Sequence, residues 1–163
     1  MSMSRAELYA LSLKAGRAAG VPFSQAQELA RLLAASSTEA VSEISEELIA
    51  ALSCVRSAAK LDGDKVISDD VLQSIPAALD LAHAGANVRH APSGLLTLWA
   101  GFRGIAVDNE GALAVGHPTQ SHTGHITLDA ALRTELDRLA IMTYVPSSAE
   151  SQAGAGAGDI DND

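Results

Sequence analysis

With 163 residues the chain is long enough for one domain, and a hydrophobic fraction of 47% gives it a core to bury. Aromatic residues make up only 3%, so that core is expected to be thin and built from closely packed, alanine-rich helices. Eleven Lys and Arg against twenty Asp and Glu leave a formal net charge of −9; nucleic acid and anionic membrane surfaces need clustered positive charge and are excluded as expected partners. The one cysteine, Cys54, allows neither an internal disulfide nor a paired-cysteine metal site. No basic, apolar leader opens the sequence and no apolar run reaches membrane-spanning length, so the expectation is a soluble cytoplasmic protein of bacterial type.

Ser4-Arg5-Ala6-Glu7 reads as a capping box, opening a helix to about Ala19 with Leu8, Leu11, Ala15 and Ala18 on its buried stripe. Gly20-Val21-Pro22 ends it. Ser24-Gln25-Ala26-Gln27 reads as a second capping box, with Phe23, Ala26, Leu29 and Leu33 facing inward, and the two helices should form an αα-hairpin. The strongest periodicity follows: Val41, Ile44, Leu48, Leu52, Val55 and Ala59 recur at intervals of three and four and predict one helix over 38–60. Asp62-Gly63-Asp64-Lys65 is a turn. A fourth helix is expected over 68–84, kinked or split at Pro76. Residues 93–102 predict a short helix using Leu95, Leu98, Trp99 and Phe102.

The period then changes to two. Residues 104–107 and 112–115 flank Asp108-Asn109-Glu110-Gly111, which predicts a hairpin with Ile105, Val107, Leu113 and Val115 on its buried face. Residues 125–128 predict a third strand, 129–138 a helix capped by Asp129, and 139–145 a last strand. The fold class is therefore α+β: a single domain over 1–153, helical over 1–102 with about five helices and β-rich over 103–146, its sheet small and mainly antiparallel. A Gly/Ala-rich acidic tail occupies 154–163.

That tail, Gly154-Ala155-Gly156-Ala157-Gly158-Asp159-Ile160-Asp161-Asn162-Asp163, has little intrinsic order until its aspartates find partners. Asp159, Asp161 and Asp163 have the alternate spacing that opens a calcium loop, but the sixth-position glycine and twelfth-position glutamate are missing. Two readings stand: a solvated acidic end, or a docked segment whose carboxylates meet main-chain amides or an arginine such as Arg103 or Arg133. In the docked reading Tyr144, Asp161, Asn162, Asp163, Gly156 and Gly158 are the ligand-binding candidates.

The ending resembles that of a bacterial family described only as domain of unknown function 3726. The resemblance rests on Leu139-Ala140-Ile141-Met142-Thr143-Tyr144-Val145-Pro146 with the Gly-Ala run and Asp161-Asn162-Asp163, and on the helix–Gly–Val–Pro–Phe–helix opening around residues 13–23. It covers about a third of the chain, and Met142 stands where the family is expected to carry an arginine. It implies an uncharacterised bacterial protein and supplies no substrate or reaction.

The remaining constellations favour structural roles. His117, His122 and His125, with Asp129 nearby, are a zinc-compatible set at a spacing that matches no metal motif. Glu39, Glu43 and Glu47, with Glu46 adjacent, lie on the face opposite the apolar stripe and read as solvated. His83 and His90 read as helix-end residues, Cys54 as a buried inert thiol, and Ser147, Ser148 and Ser151 as capping residues. No catalytic set, metal or cofactor is expected. The first expectation for function is a non-catalytic binding or accessory protein of bacterial metabolism, with a protein partner or a homodimer. The alternative is a small enzyme or small-molecule-binding domain whose pocket the tail completes.

Overall fold

The computed structural model describes residues 2–143. They contain seven helices and seven short strands, confirming the α+β class. The expected division at residue 102 does not hold. Strands β1 (Ser2–Ser4), β2 (Lys60–Asp62), β3 (Lys65–Ile67) and β4 (Val88–His90) precede it, and the last described element is a helix.

Helix α1 (Arg5–Ala18) starts on the predicted capping box: Ser4 Oγ accepts from Glu7 N at 3.2 Å, and Ser4 N donates to Glu7 Oε2 at 2.7 Å. It ends in a Schellman motif, with Gly20 N bonded to Arg17 O and Val21 N to Gly16 O. Gly20 takes the left-handed conformation (φ 78°) that this ending demands. Helix α2 (Phe23–Ala35) packs back on α1 as the expected αα-hairpin. It begins without a side-chain cap, so the second capping box does not form. Phe23 is 56% exposed rather than inward, with the Arg17 guanidinium 5.7 Å from its ring centroid.

The long third helix is two helices, α3 (Thr38–Glu43) and α4 (Ser45–Ser53). Val41, Ile44, Leu48 and Leu52 are buried as predicted, but the chain turns extended at Cys54 and Val55 is 84% exposed. The cause lies in a side chain: Arg56 folds back and donates to the carbonyls of Ala51 and Cys54, capping α4. Its Nη1 stands 3.3 Å from the buried carboxylate of Asp70, the residue before α5 (Val71–His83). One arginine therefore joins the end of α4 to the start of α5. Pro76 lies inside α5 without splitting it.

Five strands form a sheet in the order β2-β3-β4-β6-β5, including β5 (Ile105–Val107) and β6 (Ala112–Val115). All its pairings are antiparallel except β3 with β4, which α5 connects as a crossover. The β5–β6 hairpin is in the predicted place, with Asp108 Oδ1 accepting from Glu110 N and Ala112 N. Ile105 and Leu113 are buried, whereas Val115, the register partner of Ile105, is exposed. Helix α6 (Gly94–Phe102) is capped by Ser93 and buries Trp99 completely.

Strand β7 (His125–Thr127) joins β1 in a separate two-stranded sheet, with Met3 opposite Ile126. Asp129 then caps helix α7 (Ala130–Met142), which runs through residues expected to form a strand. Leu132, Leu136 and Leu139, all buried, follow helical spacing and outweigh the local alternation. The core is one continuous cluster centred on Leu29, Leu33, Leu48, Leu72, Ile75, Leu79 and Trp99.

Candidate functional site

Buried polar groups decide what chemistry is open to solvent. Ser74 on α5 and His90 at the end of β4 are both buried, with Ser74 Oγ 2.8 Å from His90 Nε2. The other ring nitrogen, Nδ1, lies 2.9 Å from the carbonyl of Ala91 and donates to it, so Nε2 accepts the serine proton. The pair has the contacts of a nucleophile and its base, yet the fully buried serine offers no approach to a substrate. Burial pushes the His90 pKa below its ordinary value; the Ala91 carbonyl opposes that push. His90 is therefore a core strand residue and not the helix-end residue expected.

A second polar group links three helices. Glu28 on α2 takes hydrogen bonds from Arg103 Nη2 at 2.6 Å and from Trp99 Nε1 at 3.0 Å, while Arg103 Nε also donates to it. Arg103 Nη1 meets Asp80 on α5 at 2.5 Å. Burial alone would raise the Glu28 pKa, but the hydrogen bonds from Arg103 and Trp99 outweigh it and hold the carboxyl below its ordinary value. The Glu28 contacts keep the Arg103 guanidinium above its ordinary value against the opposing effect of burial. Both carboxylates serve the one arginine, so Arg103 is already engaged and not an open receptor for another acid. Arg133 is likewise engaged, with Nε 2.6 Å from Asp137 on the next turn.

The histidine set does not assemble. His117, His122 and His125 are all exposed, and among the described residues no three His, Cys, Asp or Glu side chains are placed to hold a metal ion. Glu39, Glu43 and Glu46 lie exposed as expected. Glu47 does not: its Oε2 accepts from Leu95 N at 2.9 Å and so occupies the first turn of α6. Cys54 is half-buried, its Sγ donating to the carbonyl of Asp69 at 3.1 Å. The tail candidates Tyr144, Gly156, Gly158, Asp161, Asn162 and Asp163, and the serines 147, 148 and 151, lie outside the described residues.

Several open grooves mark the surface of the described residues, and two of them bear on partner contact. One, of about 710 Å³, runs between α3, the start of α6 and the β5–β6 turn, with Glu43 and Asp108 on its walls. Glu47 and Ser93 already take the amides of Leu95 and Leu96 at that helix start. The larger, about 920 Å³, lies between α1 and α7. Its walls are Glu7, Ala10, Leu11 and Lys14 on one helix and Asp137, Ala140 and Ile141 on the other. These positions recur at intervals of three and four on each helix, so they form two facing stripes. Small alanines leave the space between the stripes open. Ile141 is 73% exposed, and Met142 beside it 64%. The groove is lined by the apolar Ala10, Leu11, Ala140 and Ile141 together with the charged Glu7, Lys14 and Asp137, the composition of a protein-contact surface more than of a reaction centre.

No family model matches the chain, and neither a curated protein nor a solved structure matches it. Among the described residues no helix is long and apolar enough to cross a membrane.

Proposed function

We propose that this chain is a non-catalytic binding or accessory protein that engages a protein partner through the groove between α1 and α7. The observation that carries the reading is the apolar lining of Ala10, Leu11, Ala140 and Ile141, left open while the Ser74–His90 pair elsewhere in the fold is sealed in the core. Burying Ile141 and Met142 against a partner removes the largest exposed apolar side chains of α7 from water. Membership of the uncharacterised 3726 family and a cytoplasmic location belong to the same proposal; neither adds a reaction.

A photo-reactive phenylalanine analogue at Ala10, introduced into the full chain in cells, tests the reading. Discrete adducts are expected from Ala10 and none from His83, an exposed position at the end of α5. Equal labelling from both positions, or none from Ala10, removes the groove as a binding surface.

A second reading makes residues 144–163 the cover of this groove, completing a small-molecule pocket with Tyr144, Asp161, Asn162, Asp163, Gly156 and Gly158. It is favoured by position, since Ile141 lines the groove only two residues before α7 reaches its C-cap at Thr143. Charge opposes it: residues 144–163 hold Glu150, Asp159, Asp161 and Asp163 and neither Lys nor Arg, while the groove rim already holds Glu7 and Asp137.

A further inference from the structure

We infer that the occupant of the α1–α7 groove is a second copy of this chain, docked about a two-fold axis that sets Glu7 of each copy over Lys14 of the other; the inference rests on the groove being the binding surface. It starts from how charge is distributed along the groove. Glu7 and Lys14 both line it from α1 and lie seven residues, or about 10 Å, apart along the helix. Glu7 stands in the first turn of α1 and Lys14 one turn before its end, so the groove runs from an acidic end to a basic one. Asp137, on the opposite wall, is already paired with Arg133 of its own helix. Arg133 also places α7: its guanidinium lies 3.9 Å from Met3 Sδ, so α1 and α7 begin side by side.

A surface that is acidic at one end and basic at the other is complementary to itself when reversed. A two-fold axis lying in the contact plane and crossing the groove at its midpoint performs that reversal, bringing each Glu7 over the second copy's Lys14 and forming both pairs at once. Glu7 is equipped for the contact: Oε2 caps α1 by accepting from Ser4 N, and Oε1 has no partner among the described residues. Lys14 is exposed and forms no ion pair among the described residues. At the centre, Ala10 and Ala140 are small enough to admit an isoleucine, and Ile141 projects beside them. Residues 144–163 have one sign of charge along their length and match only the Lys14 end.

Sedimentation velocity on the full chain, across a concentration series, tests the inference. The parent is expected to self-associate. Ile141→Glu is expected to weaken the dimer about tenfold or more, because a carboxylate replaces buried apolar area. Lys14→Glu is expected to weaken it several-fold, and Glu7→Lys in the same chain is expected to restore it, a rescue that a merely structural role for either residue would not produce. Melting curves of each variant separate dimer loss from unfolding. A parent monomeric at every concentration overturns the inference, as does a dimer indifferent to Ile141→Glu or a failed charge rescue. A parent that dimerises only after truncation at Thr143 assigns the groove to the chain's own ending and overturns it too. Photo-adducts from Ala10 to a different protein, with the parent monomeric, remove the second copy and leave the binding-protein reading standing.

Discussion

Ser74 and His90 meet at 2.8 Å inside the core, the serine from the crossover helix and the histidine from the strand that helix leads into. The hydrogen bond ties α5 to β4: with Nδ1 donating to Ala91, the neutral imidazole accepts from Ser74 at Nε2, and burial disfavours the charged ring.

The sign of the resulting pH dependence follows. The folded pKa of His90 lies below the ordinary 6.5, so below that value the unfolded chain takes up a proton that the folded chain refuses. Stability is full above pH 6.5 and falls as the pH drops beneath it, by at most about 1.4 kcal/mol per pH unit from this one group. Urea midpoints measured between pH 7.5 and 5 are expected to decline for the parent and to decline less for His90→Gln. Parallel slopes for the two proteins would assign the decline to other groups.

Arg103→Lys is expected to cost about 2–4 kcal/mol, because an ammonium reproduces neither the two-pronged contact with Glu28 nor the reach to Asp80. Glu28→Leu combined with Arg103→Met should recover part of that loss. Chemical denaturation of the single and double variants gives the comparison, and an Arg103→Lys protein as stable as the parent would show that the network is solvated in solution.

Gly111→Ala and Gly85→Ala place the same atom at nearly the same backbone angle, with φ 80° and 83°. At Gly111 the new methyl would stand 1.9 Å from the His90 carbonyl oxygen; at Gly85 nothing lies within 4 Å. The first substitution is expected to cost about 3 kcal/mol or more and the second about 1–2 kcal/mol, the cost of the left-handed conformation alone. Equal melting temperatures for the two variants would contradict the close approach of the β5–β6 turn to β4.

Leu48→Ala and Leu52→Ala should each cost about 2–4 kcal/mol through lost apolar burial and the cavity left behind. Val55→Ala, three residues further along the same periodic stripe, should stay within about 0.5 kcal/mol. A large effect at Val55 would mean that the helix continues past Ser53 as its periodicity suggests.

That contrast marks where the sequence is legible and where it stops. Local rules succeed at Ser4, Ser93 and Asp129, where a side chain caps the helix that follows within three residues. They succeed again at the 108–111 turn, where the polar residues and the glycine serve one loop. They fail where a distant partner decides. Val55 continues the apolar period, yet Arg56 closes α4 before it and is held there by Asp70, fourteen residues on. Strands β1 and β4 have three residues each, too few to show a period, and exist only because β7, β3 and β6 lie alongside. The groove was illegible for the same reason. Glu7, Ala10, Leu11 and Lys14 are unremarkable on one helix and become a wall only when residues 137–141 form a second helix beside them.

The pairing of Ser2–Ser4 with His125–Thr127 has a consequence for the order in which the protein is made. During synthesis β1 emerges well before the strand that completes it, which follows more than 120 residues later in the chain. During that interval the α1–α2 hairpin can form from neighbouring residues, while Met3 stays uncovered until Ile126 arrives opposite it. The small sheet is thus a late seal: it fastens the earliest described residues to some of the last described ones. A substitution that weakens the Met3–Ile126 pairing would burden that closing step and leave the earlier α1–α2 hairpin untouched.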